Sequence, residues 1–192
     1  LVSRTAEMGM PACGISDFHN YFGLIKFYRA CQGAGIKPIC AADFLVEADD
    51  EEGKPHALTL IAQTEKGYRN ITELISKSYQ DGQKLGEPYL QKAWLKDYSE
   101  GVIALSGGKF GEVGQALIGK RDHDARNNIE WWMEIYPSRF YLELQRTNRD
   151  GDEAYLHSAV KLAFEVGCPV VATNDVRFLD KEQFEVHEAR VC

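Results

Sequence analysis

The chain has 192 residues, 44% of them hydrophobic, enough for one α/β domain with a substantial core. Its formal net charge is −7 and its lysines and arginines are scattered, which excludes the basic stripe needed to grip a phosphate backbone. Five cysteines with no Cys-x-x-Cys pair imply free thiols in a reducing, cytoplasmic compartment, and neither a membrane span nor a signal peptide is read in the chain.

Leu1 to Met8 reads as a helix already under way, and Ala12 to Asp17 as an apolar strand. From Phe22 to Cys31 the spacing of Leu24, Phe27, Tyr28 and Cys31 predicts a helix, closed by Gly33 and Gly35. Lys37 to Glu47 is a strand, Asp49 to Glu52 with Gly53 a hairpin-like turn, and Ala57 to Gln63 the next strand. Gly67 to Tyr79 is helical, with Ile71, Leu74, Ile75 and Ser78 on one face, and Gly82 to Pro88 is a loop. Val102 to Leu105 is a buried strand running into Ser106-Gly107-Gly108, followed by a short helix from Glu112 to Leu117. A longer helix runs from Asp122, a candidate N-cap, to Tyr136, where Pro137 stops it. Phe140 to Leu144 is a strand, Asp152 to Val166 a helix closed by Gly167, and Val170 to Thr173 a strand. The last helix starts near Asp180, and Phe184 to Cys192 ends without a cap. Both ends read as those of a piece of a larger protein. The alternation predicts one domain, residues 1–192, on a mostly parallel sheet or barrel.

Three apolar strand-like runs end in carboxylates, at Asp17, Asp43 and Asp175. The carboxyl ends of strands are where α/β barrels place ligands, so these three are expected to gather in one cleft. Like charges in one cleft repel unless a cation or a metal joins them. Asp17 fits a second role equally well, as a cap that accepts backbone N–H bonds from the turn that follows, and Asp43 and Asp175 could each satisfy a turn. A hydrolytic metal centre needs several imidazoles or carboxylates with open positions. The chain offers His19, His56, His123, His157 and His187, none in a His-x-His or His-Glu-x-x-His pattern, and only His19 and His56 stand where strands end or begin. Arg177 lies two residues beyond Asp175, on the same face of an extended chain, and its guanidinium could neutralise the cleft in place of a metal. Cys13 and Cys40 read as buried hydrophobes rather than nucleophiles. Trp131 and Trp132 cannot share a helix face, so one is expected in the core and the other at a lateral or partner contact. The glycines around Gly107-Gly108 lack the spacing of a phosphate-binding loop.

Taken in register, several segments resemble the PHP (polymerase and histidinol phosphatase) domain that begins the alpha subunit of bacterial DNA polymerase III, in its proteobacterial form. The segments are Gly9-Met10-Pro11-Ala12, Ile15 to Leu24, Gly33 to Ile39, Gly67-Tyr68-Arg69-Asn70, Leu105 to Gly108, Tyr141 to Leu144 and Val171 to Phe178. The resemblance covers essentially the whole chain. It implies a distorted (β/α)7 TIM-like barrel, here without its first strand. Active members of the family use up to three metal ions, held by His, Asp, Glu and Cys, to hydrolyse phosphoesters, including 3′→5′ exonuclease activity in some polymerases.

Carried over by position, the resemblance implies a degenerate site. The His that follows the Asp of the second motif is replaced by Phe18, with His19 one place late. The family Glu is matched by Asp43, and a strand-opening His falls on Ala57, with His56 one place early. The Cys is matched by Gly108. Of a final Asp-x-His pair, Asp175 is kept and Arg177 replaces the His. A register change of one reverses the direction of a strand side chain, so neither shifted His is a substitute. The expectation is therefore no bound metal and no catalytic residue in this segment, only a relict cleft of Asp17, Phe18, His19, Asp43, His56, Gly108, Asp175 and Arg177. The implied role is a scaffold that stabilises the polymerase and docks the proofreading exonuclease subunit among the other holoenzyme subunits. Mg²⁺, dNTPs and DNA would belong to downstream polymerase domains. The alternative is an active phosphoesterase with Zn²⁺ or Mn²⁺, and an unrelated α/β barrel is a third reading.

Overall fold

The structure is a computed structural model that describes residues 1–48 and 53–191, the side chain of Val191 excepted. The acidic turn expected at Asp49 to Glu52 lies outside the described residues. After a short helix α1 (Val2–Glu7) come β1 (Ala12–Phe18), α2 (Leu24–Gly33), β2 (Lys37–Val46), β3 (His56–Ala62) and α3 (Glu65–Gln80). A two-residue hairpin, β4 (Gln83–Lys84) and β5 (Glu87–Pro88), leads to α4 (Lys92–Asp97). β6 (Val102–Leu105), a 3-10 turn at Gly108–Phe110, α5 (Glu112–Ile118), α6 (Asp122–Ile135), β7 (Phe140–Gln145), α7 (Asp152–Val166), β8 (Val170–Thr173), a second 3-10 turn and α8 (Phe184–Val191) follow.

Six strands form one sheet in the order β1-β2-β3-β6-β7-β8. β1 and β2 are parallel, as are β6, β7 and β8, while β3 runs antiparallel to both its neighbours. Five strands therefore share one direction, and the expectation of a mostly parallel sheet holds. β3 opposes them because only residues 47–55 join it to β2, too few for the crossover that parallel neighbours need. The sheet curls into an open half-barrel with β1 and β8 at its edges.

Strand alternation sorts the chain into two faces. Phe44, Val46, Leu58, Leu60, Val102, Ala104, Phe140 and Leu142 turn outward and are all but fully buried under the helices. Ile71 and Leu74 of α3, Ile129 and Trp132 of α6, and Tyr155 and Ala159 of α7 complete that layer. Each large apolar side chain buried this way contributes about 1.5–3 kcal/mol. A smaller cluster of Leu24, Phe27, Cys31 and Ile36 holds α2 on the β1–β2 edge, with Cys13 and Cys40 packed against it. The two cysteines expected to behave as hydrophobes do so, though each is only half-buried.

Local chemistry explains the element boundaries. Thr64 caps α3, its Oγ1 accepting the Gly67 N–H at 3.1 Å, so the helix begins two residues earlier than its apolar spacing implies. Gly67 lies against the loop before β6, and a Cβ there would stand 1.8 Å from the Gly101 carbonyl oxygen. Asp122 is the first helical residue of α6, not its cap. Gly167 closes α7 with a φ of +72°, as a C-terminal glycine should. The stretch read as a loop at 82–88 contains the small β4–β5 hairpin, and α4 has too few apolar positions to register as periodic, yet Leu95 is fully buried. Among the described residues, no helix is long and apolar enough to cross a membrane.

Candidate functional site

The inner face of the half-barrel opens into a cleft of about 680 Å³ near the carboxyl ends of the five like-directed strands. Phe18 from β1, Asp43 from β2, Thr59 from β3, Glu143 from β7 and, beyond β8, Asp175 and Arg177 line it. Asp43 Oδ1 accepts a hydrogen bond from Thr59 Oγ1 at 2.6 Å across the β2–β3 pair, where the two residues are in register. Glu143 is buried, and Thr173 Oγ1 and Gln145 Nε2 both donate to its Oε1. Its backbone is fixed on both sides, the N–H donating to Ser106 Oγ and the carbonyl accepting from Tyr155 Oη at 2.7 Å.

Asp175 sits between two cations. Arg177 Nε donates to its Oδ1 at 2.7 Å, and Arg149 Nη1 donates to Oδ2 at 3.2 Å. The Arg177 pairing is the one expected from the two-residue spacing. It is a rim contact, since the Arg177 side chain is 62% exposed, so the pair is worth under about 1 kcal/mol. The loop carrying Arg149 is held by Asp152, whose carboxylate accepts from the Thr147 N–H and Oγ1, the Arg149 N–H and, at 2.6 Å, Lys109 Nζ. The Lys109 ammonium and the Thr147 bonds hold the Asp152 carboxyl well below the usual carboxylate range.

Four residues expected in the cleft are placed otherwise. Asp17 shares the outward face of β1 with Ile15, and its Oδ2 accepts the Gly23 N–H at 2.8 Å at the start of α2, so the capping role is the one observed. His19 is fully buried, edge-on to Phe18 and Phe44, with its Nε2 accepting the Leu45 N–H at 2.9 Å. Burial pushes its imidazole down to about 4, so the ring is neutral. His56 opens β3 on the face of Leu58 and Leu60, while Ala57 and Thr59 face the cleft. Gly108 is buried beside the cleft wall, with φ +57°, and a Cβ there would meet the Gln145 side chain at 3.6 Å. The alternation argument that disqualified His19 and His56 also moves Asp17 out, because Phe18, not Asp17, points inward.

Glu143 and Thr59 are cleft residues that sequence reasoning missed, as it missed Arg149, which bonds Asp175 at the rim. Glu143 left a readable signal, a carboxylate inside the apolar run Phe140 to Leu144 on the same side as Tyr141 and Gln145. Arg149 left none, because its role depends on how the β7–α7 loop folds back toward β8. Trp132 is buried, stacked on Phe140 and bonded through Nε1 to Glu112, whereas Trp131 lies half-buried beneath the Lys92 ammonium.

The donor set does not fit a multinuclear metal centre. Among the described residues, no imidazole or thiolate lines the cleft, and each of its three carboxylates already accepts from a protein donor. Among the described residues, no group of three or more His, Cys, Asp or Glu side chains could hold a metal ion.

A curled sheet with outer helices and a polar inner cleft at strand carboxyl ends is a TIM-like arrangement. A protein assigned as a metal-dependent phosphoesterase from Bifidobacterium adolescentis superposes with a TM-score of 0.55 at 9% identity, covering 98% of this chain and 89% of that one. An amidohydrolase from Chromobacterium violaceum superposes with a TM-score of 0.57 at 12% identity over the same shares. The model of the PHP domain matches residues 1–147, and the chain belongs to that family. The DNA polymerase III alpha subunits of Pseudomonas aeruginosa and Escherichia coli K12 are each 48% identical over all 192 residues. The chain spans only about a sixth of their length, 16% and 17%.

Proposed function

We propose that this chain is a non-hydrolytic PHP domain of a bacterial DNA polymerase III alpha subunit, working in the cytoplasm as a scaffold on which the proofreading exonuclease subunit docks. DNA-directed DNA synthesis, with its Mg²⁺ and dNTPs, belongs on this reading to the rest of the longer protein. The observation that carries it is the inner cleft. Its carboxylates are tied to Thr59, Thr173, Arg149 and Arg177, and Phe18 presents a ring where a metal site needs a donor. A hydrolytic centre needs several imidazole, thiolate or carboxylate ligands around an open position, and this cleft offers carboxylates alone, each already engaged through at least one oxygen. The outer core, by contrast, is a continuous buried apolar layer, as a stabilising scaffold requires.

Two measurements on the full-length subunit test the proposal. Metal analysis of the purified protein should find zinc and manganese well below one per chain, and stoichiometric metal lost together with phosphoester hydrolysis on Asp43→Ala would overturn it. Deleting the domain should abolish capture of the exonuclease subunit, and a deletion that still binds it normally would remove the docking role.

A further inference from the structure

The sequence contains two Asp-Gly pairs, Asp81-Gly82 and Asp150-Gly151, and no Asn-Gly pair. Such a pair can rearrange with no reagent other than water. The glycine nitrogen attacks the protonated aspartate carboxyl at Cγ. A Cγ–N bond forms, the Cγ–O bond breaks, and the hydroxyl leaves as water with the amide proton. Water then opens the cyclic imide. Addition at the former side-chain carbonyl restores aspartate, whereas addition at the main-chain carbonyl gives isoaspartate, with the main chain routed through Cβ and Cγ. Nothing is oxidised or reduced. Glycine favours the first step because it has no Cβ and its backbone turns freely. A hydrogen bond on its N–H opposes that step, because the segment must open before the nitrogen can reach Cγ.

The two pairs are held in opposite ways. At the end of α3 the Gly82 N–H donates to the Lys77 carbonyl at 3.1 Å, and the Asp81 carboxylate pairs with Lys77 Nζ at 3.4 Å. Gly82 is also crowded, since a Cβ there would stand 2.1 Å from the Tyr89 carbonyl oxygen. Gly151, between β7 and α7, has none of this. Among the described residues its N–H makes no hydrogen bond, and the Asp150 side chain makes neither a hydrogen bond nor an ion pair. Both residues are exposed, and nothing lies within 4 Å of where a Gly151 Cβ would be. One contact favours reaction here, Lys109 Nζ donating to the Asp150 carbonyl oxygen at 3.3 Å. That ammonium draws electron density from the peptide and acidifies the Gly151 N–H. In the imide it polarises the same carbonyl, whose attack by water yields isoaspartate. Asparagines undergo the same chemistry with ammonia leaving, but the loop asparagines are tied. The Arg149 N–H that follows Asn148 donates to Asp152 Oδ2 at 3.2 Å, and the Asn20 amide is bonded to Phe18 and Phe22.

We infer that Asp150-Gly151 is a modification site, the bond at which this protein isomerises to isoaspartate as it ages, and that the product is a substrate for a methyltransferase that esterifies isoaspartyl carboxylates. The change reaches the cleft. The added main-chain carbon falls inside the loop that Asp152 closes, its N–H donating to the Arg149 carbonyl and its carboxylate accepting from the Thr147 and Arg149 N–H groups. Lengthening that loop loosens the seat of Arg149, which bonds Asp175 at the cleft rim.

The experiment incubates the full-length protein at neutral pH and growth temperature. Isoaspartate is mapped by peptide mass spectrometry with electron-transfer fragmentation and counted by methyl transfer from S-adenosylmethionine with a purified isoaspartyl methyltransferase. Folded wild type should accumulate isoaspartate at Asp150 at least about tenfold faster than at Asp81. In urea, where both glycine nitrogens are free, the two rates should converge to within about twofold. Asp150→Glu, which would have to close a larger ring, should remove the signal at that position and keep the wild-type circular dichroism, since the side chain is exposed. In the converted protein, amide hydrogen exchange at Thr147 and Arg149 should speed up by at least about tenfold, and aged Asp150→Glu should not change. Equal rates at Asp81 and Asp150 in the folded protein, or no product at either while both form in urea, would overturn the assignment. The same tenfold ratio in urea would show that sequence rather than the fold selects the bond. Unchanged exchange at Thr147 and Arg149 in converted protein would overturn the link to the cleft rim.

Discussion

His19 makes the pH dependence of folding a test of the register argument. Its ring is fully buried, its Nε2 accepts the Leu45 N–H, and burial lowers its folded-state value to about 4 from an ordinary 6.5. Between those values the unfolded chain binds the proton and the folded chain does not, so stability is intact above about pH 6.5 and falls as the pH drops through about 4. A shift of this size costs about 2 kcal/mol at pH 5 and about 3 kcal/mol by pH 4. The comparison variant is His19→Asn, because asparagine tolerates the left-handed backbone at this position, φ +54°. Urea unfolding at pH 7, 5 and 4 should show wild type losing that much more stability than the variant, whatever the variant's absolute stability. Equal pH dependence, or a His19 ring signal titrating near 6.5 in NMR, would refute the placement of this imidazole in the core.

Four further substitutions probe the packing and the cleft rim. Gly67→Ala should destabilise by about 2–3 kcal/mol in chemical denaturation, because its Cβ would run into the Gly101 carbonyl, whereas Gly33→Ala, with nothing near its Cβ and a helical backbone, should stabilise by about 0.5 kcal/mol. Trp132→Phe keeps a ring over Phe140 but removes the indole donor to the buried Glu112 carboxylate, and a loss of about 2 kcal/mol is expected from the same assay. Arg177→Ala should cost under about 1 kcal/mol and shrink further in high salt, since the Asp175 pair is exposed and Arg149 still bonds that carboxylate.

Most of the fold was legible because its strands and helices differ in period. The buried run Val102 to Leu105 and the helical spacing in α2 and α3 each lead to the observed element. What escaped is what period cannot encode. The α4 helix is six residues long, and the β4–β5 hairpin pairs two residues with two, so neither spans enough chain to show a repeat. The site was legible in type but not in direction. Asp17 and Phe18 are neighbours on one strand, and only the register of β1 against β2, with Phe18 opposite Asp43, decides which of them faces inward. Once that pairing is known, the one-residue offset of His19 and the outward turn of Asp17 follow from the same alternation. Arg149 depends on tertiary folding of a loop and has no local signature.

That separation of faces also explains how a fold of this class can lose its chemistry without losing its shape. The apolar layer that stabilises the sheet lies outward, on Phe44, Leu58, Leu60, Val102, Ala104, Phe140 and Leu142, and the polar residues of the inner cleft, Asp43, Thr59, Glu143, Asp175 and Arg177, are not part of it. On the reading proposed above, replacing an inward donor by Phe18 or Arg177 would leave the outward core contacts in place. Its energetic consequence is confined to the polar balance of the cleft. Without a metal, three inward carboxylates would repel one another, and burying Glu143 without donors would cost several kcal/mol. Thr59, Thr173 and Gln145 provide those donors, and Arg149 and Arg177 supply the countercharge at the rim. A catalytic centre must leave its carboxylates free for a metal, whereas in this cleft each of the three is engaged by a hydroxyl, an amide or a guanidinium through at least one oxygen.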